Sequence, residues 1–123
     1  MGITVTLLRK HDACEEGVRA FRATFPRGLT VASTPAGRAR QAEKVARFDF
    51  DYLDFAADTF LPADARDTHY DAEDAAAAEY DRALAAVEHL KGGLHYVFAA
   101  AAAGDAYRLA IARALLDTFA SLD

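Results

Sequence analysis

The chain has a single cysteine, Cys14, no tryptophan and only three prolines. One thiol excludes an internal disulfide, and a reducing compartment fits it best. No apolar run reaches the ~18 residues that a membrane helix needs. Met1 is not followed by a basic segment and an apolar stretch, so no secretory leader is expected. There is no Gly-rich phosphate loop, no Ser/His/Asp arrangement and no calcium loop; Gly92-Gly93 reads as a turn. Lysine is scarce beside arginine (three against eleven), and with abundant alanine this suggests a GC-rich coding sequence, bacterial or phage.

What the sequence has is helix-forming apolar periodicity and segregated charge. At 123 residues and 53% hydrophobic it is long enough for one folded domain, 1–123. Residues 1–48 carry nine Lys/Arg against four Asp/Glu, a net +5, and residues 49–81 carry eleven acids against Arg66 alone, a net −10. The rest is neutral. That segregation exceeds what solubility requires.

Along the chain, residues 3–8 are open between a strand and a short helix capped by Thr4 or Thr6. A second β-branched stretch, Leu29-Thr30-Val31, is a candidate partner for a minimal two-stranded ribbon. Asp12 and Glu15 have capping-box spacing, and Cys14, Val18, Phe21 and Phe25 form one stripe that Pro26 ends. Thr34-Pro35 opens a helix to about residue 47, with Arg40, Lys44 and Arg47 on one face. Over 51–61 the stripe is Leu53, Ala56, Ala57, Phe60 and Leu61, opposite Asp51, Asp54 and Asp58. Over 71–90 it is Ala72, Ala76, Tyr80, Ala83, Leu84, Val87 and Leu90, opposite Asp71, Asp74, Asp81 and Glu88. Residues 94–103 read as an alanine-rich helix that Gly104-Asp105 separates from a last helix over 106–122, which buries Leu109, Ile111, Ala112, Leu115, Leu116, Phe119 and Leu122. The expected fold is all-α, a compact bundle of about five to six helices joined by short loops.

Two passages, HDACEEGVRAFRATFP (11–26) and FDFDYLDFAADTFLPADARDTHYDAEDAAAAEYDRALAAV (48–87), resemble small phage- and prophage-encoded proteins of unknown function from GC-rich bacteria. The likeness lies in the Ala-Cys-x-Glu-Gly opening, the Phe-Arg and Phe-Pro that follow, and the Tyr-Asp-Ala repeats at Tyr70 and Tyr80. The chain departs from that pattern in having no tryptophan and in its C-terminal helical segment. The resemblance implies a mobile-element accessory protein in a bacterial host and supplies no reaction.

Candidate chemistry is thin. Cys14 with His11 near a helix N-terminus could make a nucleophile and base, but the apolar stripe makes a buried structural cysteine the expectation. His89, His95 and Glu88 have no familiar metal-ligand spacing, so neither metal nor cofactor is expected. The carboxylates lie opposite the core stripes, where nothing raises their pKa for acid–base work, so the chain is expected not to be an enzyme. The Arg38–Arg47 region could touch nucleic acid, but the overall acidity opposes it. The expectation is a protein-binding surface made of Asp51, Asp54, Asp58, Asp67, Asp71, Asp74, Asp81 and Glu88, docking on a basic, nucleic-acid-binding host protein, in its most concrete form an anti-CRISPR-like inhibitor. The alternatives are a homo-oligomeric assembly protein built through the alanine-rich helices and a nucleic-acid-binding regulator using the basic N-terminal third.

Overall fold

Thr4 decides how the chain begins. Its extended backbone ends a two-residue strand, β1 (Gly2–Ile3), and its hydroxyl accepts the Leu7 N–H at 3.1 Å to open helix α1 (Val5–Lys10). The strand and helix readings of this stretch are both realised, one after the other. β1 pairs antiparallel with β2 (Leu29–Thr30), placing Gly2 opposite Thr30 and Ile3 opposite Leu29. The turn into β2 needs a glycine: Gly28 has φ 83°, and a Cβ there would lie 2.9 Å from the Ile3 carbonyl oxygen. The computed structural model describes residues 1–122.

Cys14, not Asp12, caps helix α2 (Glu15–Thr24). Its Sγ accepts the Gly17 N–H at 3.3 Å, while Asp12 sits at φ 61° in the turn leaving α1. This corrects the expectation of a buried Cys14, because a cap residue stands outside the helix's repeating stripe and its thiol is exposed. Helix α3 (Pro35–Val45) is capped by Thr34, whose hydroxyl accepts the Gly37 N–H at 3.1 Å. The Gln41 amide ties α3 to the ribbon, accepting from the Ala32 N–H at 2.9 Å and donating to the Thr30 carbonyl at 2.7 Å.

Helices α4 (Phe50–Phe60), α5 (Ala63–Ala86) and α6 (Leu94–Ala120) complete the chain, with a 3-10 turn (Glu88–Leu90) between the last two. Two expected boundaries are corrected. α5 begins at Ala63, because Pro62, with ψ 162°, ends one helix and leads straight into the next. α6 runs unbroken through Gly104. A mid-helix glycine costs only about 1 kcal/mol relative to alanine, and the alanines around it and the α5 packing surface outweigh that.

The core is one-sided. Ile3, Leu8, Val18, Phe21, Phe25, Leu29, Val31, Ala42, Val45, Leu53, Ala57 and Leu61 close on Ile111, Ala112, Leu115, Leu116 and Phe119 of α6. Arg38 fastens α3 to α6, donating from Nε to Asp117 Oδ1 at 2.7 Å and from Nη1 to the Ala32 carbonyl at 3.0 Å. Between residues 70 and 110 no residue is buried. The second half of α5 and the first half of α6 therefore form a two-helix arm that leaves the body, roughly 20 Å long at ~1.5 Å per residue. Alanines let its two helices approach closely, and the Tyr80 and Tyr107 rings, 5.6 Å apart, fill the space near its base. The expected α5 stripe is thus corrected, since Ala72, Ala83 and Leu90 are exposed, and so are Leu109 and Leu122 of the expected last-helix core.

Candidate docking surface

The eight acids expected to share one surface are divided by the fold. Because α5 starts eight residues earlier than the apolar pattern suggests, Asp64 joins Asp67, Asp71, Asp74 and Asp81 on one helix. At ~100° per residue these five fall within an arc of about 100°, centred opposite the buried His69. All five are exposed, and among the described residues none of them makes an ion pair. They form a seam about 25 Å long at ~1.5 Å per residue. Asp64 was missed as a seam member because it precedes the apolar periodicity that marked the helix; Pro62 was the available signal.

The remaining acids serve elsewhere. Glu88 pairs with Lys91 at 3.5 Å at the arm tip. Asp51 is exposed in the first turn of α4. Asp54 is half-buried in a polar cluster between α4 and α5, which corrects the expectation that it is simply solvated, while Asp58 stays exposed at the rim of that cluster. The Tyr70 hydroxyl donates to Asp58 Oδ1 at 2.8 Å. His69 is completely buried, its Nε2 lies 3.6 Å from Glu73 Oε2, and neither ring nitrogen has a hydrogen-bond partner. Burial pushes the His69 pKa down from 6.5, against the upward pull of Asp54 and Asp58. Burial likewise pushes Asp54 up, helped by Asp58, and pushes Glu73 up, helped by Asp54. With the imidazole held neutral, the His69–Glu73 contact is no ion pair near neutral pH.

This cluster gives stability a pH dependence of defined sign. Below pH 6.5 the unfolded chain takes up a proton on His69 that the folded chain resists, so stability falls as pH drops through that window. The raised Asp54 and Glu73 act oppositely and at lower pH, where the folded carboxyls bind protons first. Urea unfolding at about pH 7.5 and 5.5 should therefore show the wild type losing stability by at most about 1.4 kcal/mol, because the lower pH lies one unit below the unfolded pKa of 6.5. His69→Leu should lose less. Equal losses in the two proteins would remove His69 from this account.

A cleft of about 580 Å³ opens between α2 and α4. Its floor is core (Phe21, Phe25, Leu53, Leu116 and Phe119), and its mouth carries Asp12, Cys14, Glu16, Asp49, Asp51 and Tyr52, with no Lys or Arg in its lining. Desolvation and the neighbouring Cys14 raise the Tyr52 pKa. The size falls within the ~300–1,000 Å³ of small-molecule sites, and the chemistry suits an apolar group bearing a positive charge. Because the thiol is exposed, native Cys14 should react stoichiometrically with a thiol reagent at the rate of an open cysteine; protection until denaturant is added would contradict the capping geometry.

The basic face is divided as well. Arg38 is engaged by Asp117, and Lys44 lies over the Phe25 ring at 5.9 Å, which leaves Arg40 and Arg47 exposed. Among the described residues no Lys or Arg of 1–48 pairs with an acid of 49–81. No group of three His, Cys, Asp or Glu among them is placed to hold a metal ion, and no helix is long and apolar enough to cross a membrane. Comparison with protein-family models, curated proteins and solved structures returns no match.

Proposed function

We propose that the chain is a non-catalytic binding protein that docks the acidic seam of α5 on a basic, nucleic-acid-binding protein. The observation that carries this reading is the seam itself: Asp64, Asp67, Asp71, Asp74 and Asp81 in line, exposed and, among the described residues, in no ion pair, with Arg82, which pairs with Glu79, the one base of α5 within their arc. Five charges over ~25 Å give one about every 6 Å, against one per ~3.4 Å along a DNA strand. A rod of that density is complementary to a groove lined with Lys and Arg, where it would speed and orient docking and exclude nucleic acid. The phage-like resemblance adds a setting, an anti-CRISPR-like inhibitor of a nucleic-acid-guided defence complex in a bacterial host cytoplasm.

The acids of the α4–α5 cluster do not compete as a catalytic reading, because the His69 ring is sealed from solvent. The test is capture of partners from nuclease-treated bacterial lysate at low and high salt. It is followed by displacement with duplex or single-stranded nucleic acid and by comparison with a seam-neutralised variant. A basic partner released by salt and by nucleic acid supports the reading. Capture that ignores both, or that survives neutralisation of the seam, overturns it.

A further inference from the structure

Helix α6 carries a second unpartnered surface, on the side of the arm away from α5. Leu94, Phe98, Ala101, Ala102, Asp105 and Leu109 lie within an arc of about 100° at ~100° per residue, and all six are exposed. Leu94 is 73% exposed, Phe98 69% and Leu109 41%, and Val97 at the edge of the arc is 57% exposed. Farther along the helix, Ala112, Leu116 and Phe119 occupy the neighbouring part of the same side and are buried in the body. The core-facing side of α6 therefore continues past the end of the core and stays apolar where nothing covers it. Singly exposed apolar residues are ordinary, but these form one patch of roughly 500–600 Å², at the upper limit for a monomer.

We infer that a second copy of this chain covers this face, the two arms lying side by side and antiparallel. A twofold contact requires a surface complementary to itself. The spacing along the face, steps of four, three, one, three and four residues, is the same read from either end. Antiparallel pairing about the midpoint of Ala101 and Ala102 sets Leu94 opposite Leu109, Ala101 opposite Ala102, and Phe98 opposite Asp105, the only charge on the face. The alanines at the centre allow close approach of the two helices.

The register also fits the shape of the molecule. Leu109 is the last face residue before the body, so the pairing lays each arm along the other for its full free length, with each tip at the partner body. Complete covering of both patches would bury roughly 1,100 Å², an upper limit that meets the ~1,000 Å² a specific interface needs. The result is a row of four helices, the two α6 helices inside and the acidic seams of the two α5 helices facing outward. The inference is therefore independent of the docking reading.

Sedimentation velocity across a hundredfold range of concentration tests it. The wild type should pass from monomer to dimer. Phe98→Glu and Leu94→Glu should remain monomeric, with dissociation constants raised by at least about a hundredfold, and should keep the wild-type helical spectrum, because both positions are exposed in the monomer. Orientation is read in a Cys14→Ser background, where the serine hydroxyl can still cap α2. Leu94→Cys mixed with Leu109→Cys should form a disulfide-linked pair, and neither protein alone should do so. A monomer at every concentration would leave the face to an unlike partner and overturn the inference. Dimerisation indifferent to Phe98→Glu, or self-linking of Leu94→Cys, would overturn it equally.

Discussion

Phe119→Ala should cost about 3 kcal/mol of folding stability, the low end of the ~3–5 kcal/mol range for truncating a buried phenylalanine. Phe119 is among the largest fully buried side chains, seated with Ile111, Leu115 and Leu116 on the α6 surface that the rest of the body closes upon. The low end applies because Phe119 also lines the cleft between α2 and α4. The volume vacated adjoins the floor of that cleft, so neighbouring side chains have room to relax into it and part of the cost of a sealed void is relieved. A domain of this size has about 5–15 kcal/mol in total, so the loss is a large share of it. Phe98→Ala is the matched control: the same substitution on the same helix at an exposed position should move stability by no more than about 0.5 kcal/mol at concentrations where the chain is monomeric. Urea titration of the two variants separates them. Equal costs would mean that α6 is not divided into a seated half and a free half.

That division was only partly legible in the sequence. The stripes of α2 and α4 and the buried set on α6 were readable, because Val18, Phe21, Leu53, Ala57, Leu115 and Phe119 recur at helical spacing and pack inside one body. The arm was not. Leu90, Leu94, Val97 and Phe98 have the same apolar period as true core residues, and periodicity reports which residues share a face without reporting whether anything lies against that face. Gly104 misled for a related reason: glycine punctuation is a local signal, while a continuous packing surface is a tertiary one. The seam was legible in outline, since Asp71, Asp74 and Asp81 were placed opposite the apolar side. His69 and Glu73 were not, because a polar pair facing inward is visible only once α4 and α5 are brought together.

Replacing Asp67, Asp71, Asp74 and Asp81 with asparagine should separate binding from stability. The change takes the net charge from −5 to −1. Association with a basic partner at low salt should slow by a factor of about 10 to 1,000, and most of the salt dependence should vanish, because steering by a charged face acts mainly on the encounter rate. The fold should not suffer. The four carboxylates are exposed and, among the described residues, make no ion pair, and Asp67, Asp71 and Asp74, at intervals of four and three residues, repel one another along the helix. Each like-charge pair at that spacing destabilises a helix by ~0.2–0.5 kcal/mol, offset in part at Asp67, which lies near the positive N-terminal end of α5. The variant should therefore melt no lower than the wild type while binding far more slowly. That opposition is the strongest physical argument for a docking role: a helix that needed only solubility would intersperse lysines among these positions and gain the same hydration without the repulsion. A variant that binds as fast as the wild type, with the same response to salt, would reduce the seam to solvated surface and leave the apolar side of the arm as the principal interaction surface of the molecule.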